Sequence, residues 1–79
     1  MRYYIEHACG NFSAPIEYAD KTKAEIMNDI LADYPEFMTL AEFDDQAEAE
    51  KAYSKYHYDV TIRKNGVINY HIYRLEKED

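Results

Sequence analysis

From His57 to Leu75 hydrophobic and polar positions alternate in two runs, HYDVTIR and VINYHIYRL, separated by Lys64-Asn65-Gly66. Alternation at a period of two marks a half-buried strand, and Asn-Gly supplies the positive φ angles of a tight reversal, so the stretch reads as a β-hairpin. Its register follows from loop length. A two-residue loop would set Ile62 against Asn69 and Val60 against His71, apolar against polar. A three-residue loop, Lys64 to Gly66, with a type I turn closed by a left-handed Gly66, pairs Ile62 with Ile68, Val60 with Tyr70 and Tyr58 with Ile72. One face is then wholly apolar. The other carries Thr61 across from Asn69, Asp59 across from His71 and His57 across from Tyr73.

Arg2–Ala8 (RYYIEHA) is β-prone and alternates, which predicts a first strand. Cys9-Gly10-Asn11 reads as its end. Phe12–Asp20, interrupted by Pro15, reads as a loop or as a returning strand carried by Phe12, Ile16 and Tyr18. In Thr22–Tyr34 the apolar residues Ala24, Ile26, Met27, Ile30, Leu31 and Tyr34 recur at helical spacing. Thr22 and Glu25 form a T-x-x-E capping box at its start, and Pro35 pushes Tyr34 out of helical geometry. Glu36–Phe43 is expected to be extended. Asp45–Tyr56 reads as a second helix, opened by Asp45 and Glu48 and buried through Ala49, Ala52, Tyr53 and Tyr56. The charged tail Glu76–Asp79 is expected to fray. Together these elements predict one α+β domain over residues 1–79. Its mainly antiparallel sheet would consist of the N-terminal strand plus the C-terminal hairpin, with two helices packed on one face.

Charge changes this picture from fold to function. The 79 residues hold sixteen acids against nine lysines and arginines, a net −7, which disfavours direct nucleic-acid binding because that needs cations to displace counterions. One cysteine, Cys9, allows no intramolecular disulfide, and the amino terminus lacks the apolar run of a signal or membrane segment. A reducing, cytoplasmic setting without membrane association is the expectation. Nine tyrosines and no tryptophan add rigid, amphipathic contact area.

Between Lys23 and Lys51 no basic residue occurs, while Glu25, Asp29, Asp33, Glu36, Glu42, Asp44, Asp45, Glu48 and Glu50 do. Glu25, Asp29 and Asp33 recur every four residues, about 6 Å apart along a helix, and like charges at this spacing cost a few tenths of a kcal/mol per pair. Glu25, Asp29, Asp33, Glu36, Asp44, Asp45 and Glu48 are therefore the candidate partner-binding residues, and the candidate partner is a basic or nucleic-acid-binding protein. In size, acidity and tyrosine content the chain is similar to small phage-type inhibitors of restriction and CRISPR nucleases. That resemblance implies a non-catalytic inhibitor that mimics nucleic acid and blocks a basic groove. The alternative is a regulatory domain that binds a protein, or a second copy of itself, through an exposed sheet patch of Tyr4, Asp59, His71 and Tyr73.

No motif for catalysis stands out. Asp59 opposite His71 resembles a base and its orienting partner but has no nucleophile beside it, so no catalytic residue is assigned. His7, Cys9 and His71 lack the paired C-x-x-C or H-x3-H spacing of zinc sites, so neither a metal nor another cofactor is expected.

Overall fold

The computed structural model describes residues 1–78. Element order is β1 (Arg2–Ser13), a 3₁₀ turn (Ile16–Asp20), α1 (Lys23–Ala32), β2 (Met38–Phe43), α2 (Gln46–Tyr53), β3 (Asp59–Ile62) and β4 (Val67–Glu78). The fold is α+β, with a four-stranded antiparallel sheet in the order β2-β1-β4-β3.

The hairpin adopts the three-residue register: Asp59, Val60, Thr61 and Ile62 face His71, Tyr70, Asn69 and Ile68. Gly66 sits at φ 81°, its amide bonded to the Arg63 carbonyl at 2.9 Å, while the Arg63 amide reaches the Val67 carbonyl at 2.8 Å. Tyr58 and Ile62 remain exposed, because β3 begins only at Asp59 and Ile62 lies at its end.

β1 does not stop at Cys9-Gly10-Asn11. It pairs with β4 without interruption from Arg2 opposite Glu78 to Ser13 opposite Val67. Gly10 lies beneath Tyr70, so close that a Cβ on Gly10 would stand 2.8 Å from the Tyr70 hydroxyl. The break signal is thus a close packing position, one of the two uses of glycine in a strand. Beyond Pro15 the chain coils into the 3₁₀ turn, so the returning strand is not formed and Ile16 is 93 % exposed. The tail is also ordered differently from expectation: Glu76–Glu78 continue β4, and Asp79 lies outside the described residues.

Thr22 caps α1 through the full reciprocal box with Glu25. The helix ends at Ala32, two residues early, because Asp33 closes it and Tyr34 turns left-handed at φ 54° ahead of Pro35. Asp45 caps α2 by accepting from the Glu48 amide, and that helix ends at Tyr53 rather than Tyr56.

The two helices do not share a face. Ile26 and Ile30 of α1 cluster with Val60, Ile68 and Ile72. Tyr56, just past α2, packs instead on Tyr73, whose parity along β4 is opposite to that of Ile68 and Ile72. α2 lies against β1, β2 and β4, whereas α1 lies against β3. Of the residues with Tyr73's parity, Tyr3 and Ile5 are buried outside the α1 cluster, as is Ala49 of α2. One-face packing fails because the sheet presents apolar side chains on both faces, Tyr3 and Ile5 on one and Ala8, Ile68 and Ile72 on the other, so each face needs its own cover. Each helix covers its own end of the ribbon, on opposite sides. The molecule accordingly measures 44 × 21 × 16 Å with a radius of gyration of 14.4 Å, against about 11.6 Å for a compact domain of this length.

Candidate functional site

Alternation along β1 and β4 sorts the candidate residues onto two sheet faces. His7, Cys9, His71 and Tyr73 share one face with Asp59, Thr61 and Asn69, while Tyr4 and Glu6 project from the other. The predicted sheet patch is therefore divided: Asp59, His71 and Tyr73 come together, and Tyr4 does not join them. On its own face, Glu6 accepts from Arg74 at 2.7 Å, and the Arg74 guanidinium lies 3.8 Å from the centre of the Phe37 ring. A Glu78 carboxylate beside Tyr4 pushes its hydroxyl pKa up.

On the first face four rings run in series. Tyr56 packs on Tyr73 at 4.9 Å between centroids, Tyr73 stacks on His7 at 4.7 Å, and His7 lies edge to edge with His71, centroids 5.2 Å apart and planes only 3° apart. His7 Nε2 lies 3.0 Å from His71 Nδ1. Asp59 pairs in register with His71, yet its carboxylate accepts from the Thr61 hydroxyl, so His71 is engaged with His7 instead. The Tyr53 hydroxyl donates to the Tyr73 carbonyl and ties α2 to the same row.

The acids are likewise separated. Glu25 and Asp29 lie on α1 and Asp33 caps its end; Asp44 and the cap Asp45 precede α2, which holds Glu48, across the sheet; and Glu36 precedes β2. The row on α1 has local partners that sequence spacing did not reveal. The Glu25 carboxylate accepts the Thr22 amide at 3.0 Å, and this bond holds its pKa below the usual carboxylate range. Lys21 binds Asp29 at 2.6 Å, which lowers the Asp29 pKa and raises that of Lys21. Near α2, Arg2 stands 3.5 Å from Glu42 and 3.9 Å from Asp44. Glu36, Asp45, Glu48 and Glu50 form no ion pair among the described residues.

These acids bracket a feature that composition could not show. β2 is an edge strand, hydrogen-bonded to β1 on one side only. Its Met38 is 73 % exposed and Leu40 50 %. Tyr34, which precedes it in a strained left-handed conformation, is 92 % exposed. A bulge opposite Ile5 and Glu6 interrupts its pairing with β1. No helix among the described residues is long and apolar enough to cross a membrane. Comparison with protein-family models, curated proteins and solved structures returned no match.

Proposed function

We propose that the chain is a non-catalytic interaction module, working in the cytoplasm, that receives a basic segment of a protein partner along the β2 edge. The observation that carries this reading is the company that edge keeps: exposed Met38 and Leu40 on a strand whose outer side is unpaired, with exposed Tyr34 and Glu36 before it in the chain and Glu42, Asp44 and Asp45 at and just past its end. An extended segment added to a sheet edge gains main-chain hydrogen bonds, while side-chain contacts select the sequence. Here the flanking carboxylates favour lysine and arginine, and the net charge of −7 steers such a partner over longer range. A nucleic-acid-binding protein, including a nuclease inhibited by occupation of its basic groove, fits that chemistry.

The test immobilises the protein and compares what it retains from its host with what two variants retain. Glu36→Lys/Asp44→Lys reverses charge beside β2, and Met38→Lys/Leu40→Lys removes its exposed apolar side chains. A basic partner that is released by salt and lost in both variants is the expected result. Equal retention of that partner by both variants rejects the β2 edge as its site.

A further inference from the structure

We propose that His7, Cys9 and His71 form a zinc site on the sheet face away from α1, one strand in from the β2 edge, where His7 stands opposite Met38. The three come from two strands. His7 and Cys9 stand two apart on β1 and so project from one face, and Cys9 lies directly opposite His71 on β4. His7 Nε2, Cys9 Sγ and His71 Nδ1 all lie within 4.8 Å of one another, with the two nitrogens 3.0 Å apart.

The geometry is close to what a tetrahedral ion needs. With Zn–N near 2.05 Å and Zn–S near 2.3 Å, tetrahedral ligands stand about 3.3 Å apart for N and N and about 3.6 Å for N and S. The imidazoles must separate by roughly 0.3 Å, and the thiolate must approach by at most about 1.2 Å. Cys9 is exposed, so rotation of its side chain meets little resistance. His7 is held on its other side by Tyr73 at 4.7 Å, which keeps Nε2 aimed at the gap.

The hydrogen bond between the two imidazoles explains how the site persists without an ion. One ring donates its N–H to the lone pair of the other, and when the ion enters the donating ring takes its other tautomer, its proton moving to the far nitrogen, so that both facing nitrogens present lone pairs. Two imidazoles with one thiolate form a borderline-to-soft donor set that suits zinc, and three protein ligands leave a fourth position open toward solvent. Both imidazoles stay neutral, and the proton lost to solvent on binding is that of the cysteine thiol.

The experiment titrates metal-free full-length protein with Zn²⁺ and follows stoichiometry, alkylation of Cys9 by iodoacetamide, and proton release. One ion per chain, protection of Cys9, and weakening of binding by at least about a hundredfold in Cys9→Ser and in His71→Ala are expected, since even outer partners of metal ligands are worth roughly 10–100-fold. Both substitutions are at exposed positions, and circular dichroism checks that the fold is kept. Co²⁺ substituted for Zn²⁺ should show a thiolate charge-transfer band that Cys9→Ser abolishes. Zinc binding that survives Cys9→Ser, an alkylation rate unchanged by zinc, or selective binding of Cu⁺ with none of Zn²⁺ would each overturn the assignment.

Discussion

Gly10 offers the sharpest test of the packing, because the structure makes an ordinarily helpful change harmful. Replacing a strand glycine by alanine should stabilise by about 0.5–1 kcal/mol through lower chain entropy in the unfolded state. At Gly10 the new Cβ would meet the Tyr70 hydroxyl at 2.8 Å and ring atoms at 3.1 and 3.2 Å. Tyr70 is packed against the Ile26–Ile68–Ile72 cluster and 6.3 Å from Phe12, so the ring can shift only on the side away from those neighbours. Overpacking of this kind costs about 1–3 kcal/mol. An open cleft of about 270 Å³ beside Tyr70, lined also by Tyr18, Ile30 and Pro35, lets the ring retreat and places the cost in the lower half of that range. The net effect of Gly10→Ala is then a destabilisation of roughly 0–1.5 kcal/mol instead of the usual gain, and each kcal/mol lowers Tm by about 4–8 °C in a domain of this size. Thermal and urea unfolding of wild type, Gly10→Ala, Tyr70→Phe and the double variant measure it. Tyr70→Phe removes the shortest contact and leaves the other two, so the double variant should recover part of the loss, about 0.5 kcal/mol of coupling. Gly10→Ala that stabilises by about the full 0.5–1 kcal/mol of an unobstructed replacement beside an intact Tyr70 would refute the packing of that ring over β1.

Three other perturbations bear on the helix ends and the hairpin. Thr22→Ala removes the cap of α1 and should cost about 1 kcal/mol in urea unfolding. Because the folded Glu25 pKa is depressed by the same box, its contribution is complete above the unfolded carboxylate pKa and fades as pH falls through the folded value. Thr22→Ala keeps the backbone amide that donates to Glu25, so the acid side of the stability–pH curve should be flattened only in part, and a complete flattening would deny that amide the larger share. Tyr34→Gly relieves a left-handed backbone at an exposed position and should stabilise the fold by up to about 1 kcal/mol. Under the proposed function it should also weaken partner binding, which separates the strain from ordinary loop geometry. Gly66→Ala places a Cβ in the left-handed position of the hairpin and should lower stability by about 1 kcal/mol, although nothing lies near enough to clash.

Local signals were legible wherever the determining interaction was itself local. The reciprocal Thr22–Glu25 cap, the Asp45 cap and the Lys64–Gly66 loop depend on residues within three or four positions, and each formed as the pattern implied. The continuation of β1 through Cys9–Ser13 depends on Tyr70 and Asn69, nearly sixty residues away, and the sequence around Gly10 taken alone points to a break. The placement of the helices depended on the pairing of β1 with β4, which puts buried Tyr3 and Ile5 on one face and Ala8, Ile68 and Ile72 on the other, a division that neither strand shows taken alone. The candidate site shows the same division. Asp59 opposite His71 followed from the hairpin register, but His7 beside His71 required the β1–β4 pairing. Lys21 lies outside the acidic run and eight residues from Asp29, so the ion pair that offsets the middle of the α1 row arises from the 3₁₀ turn folding back.

The central claim, that a basic partner adds to the β2 edge, is tested most directly by amide hydrogen exchange of the chain alone and in complex with the protein it retains. Protection gained across Met38–Phe43, with α1 unchanged, is the predicted result. Protection confined to Glu25–Asp33, or to the His71 and Tyr73 face, would contradict it and place the partner elsewhere.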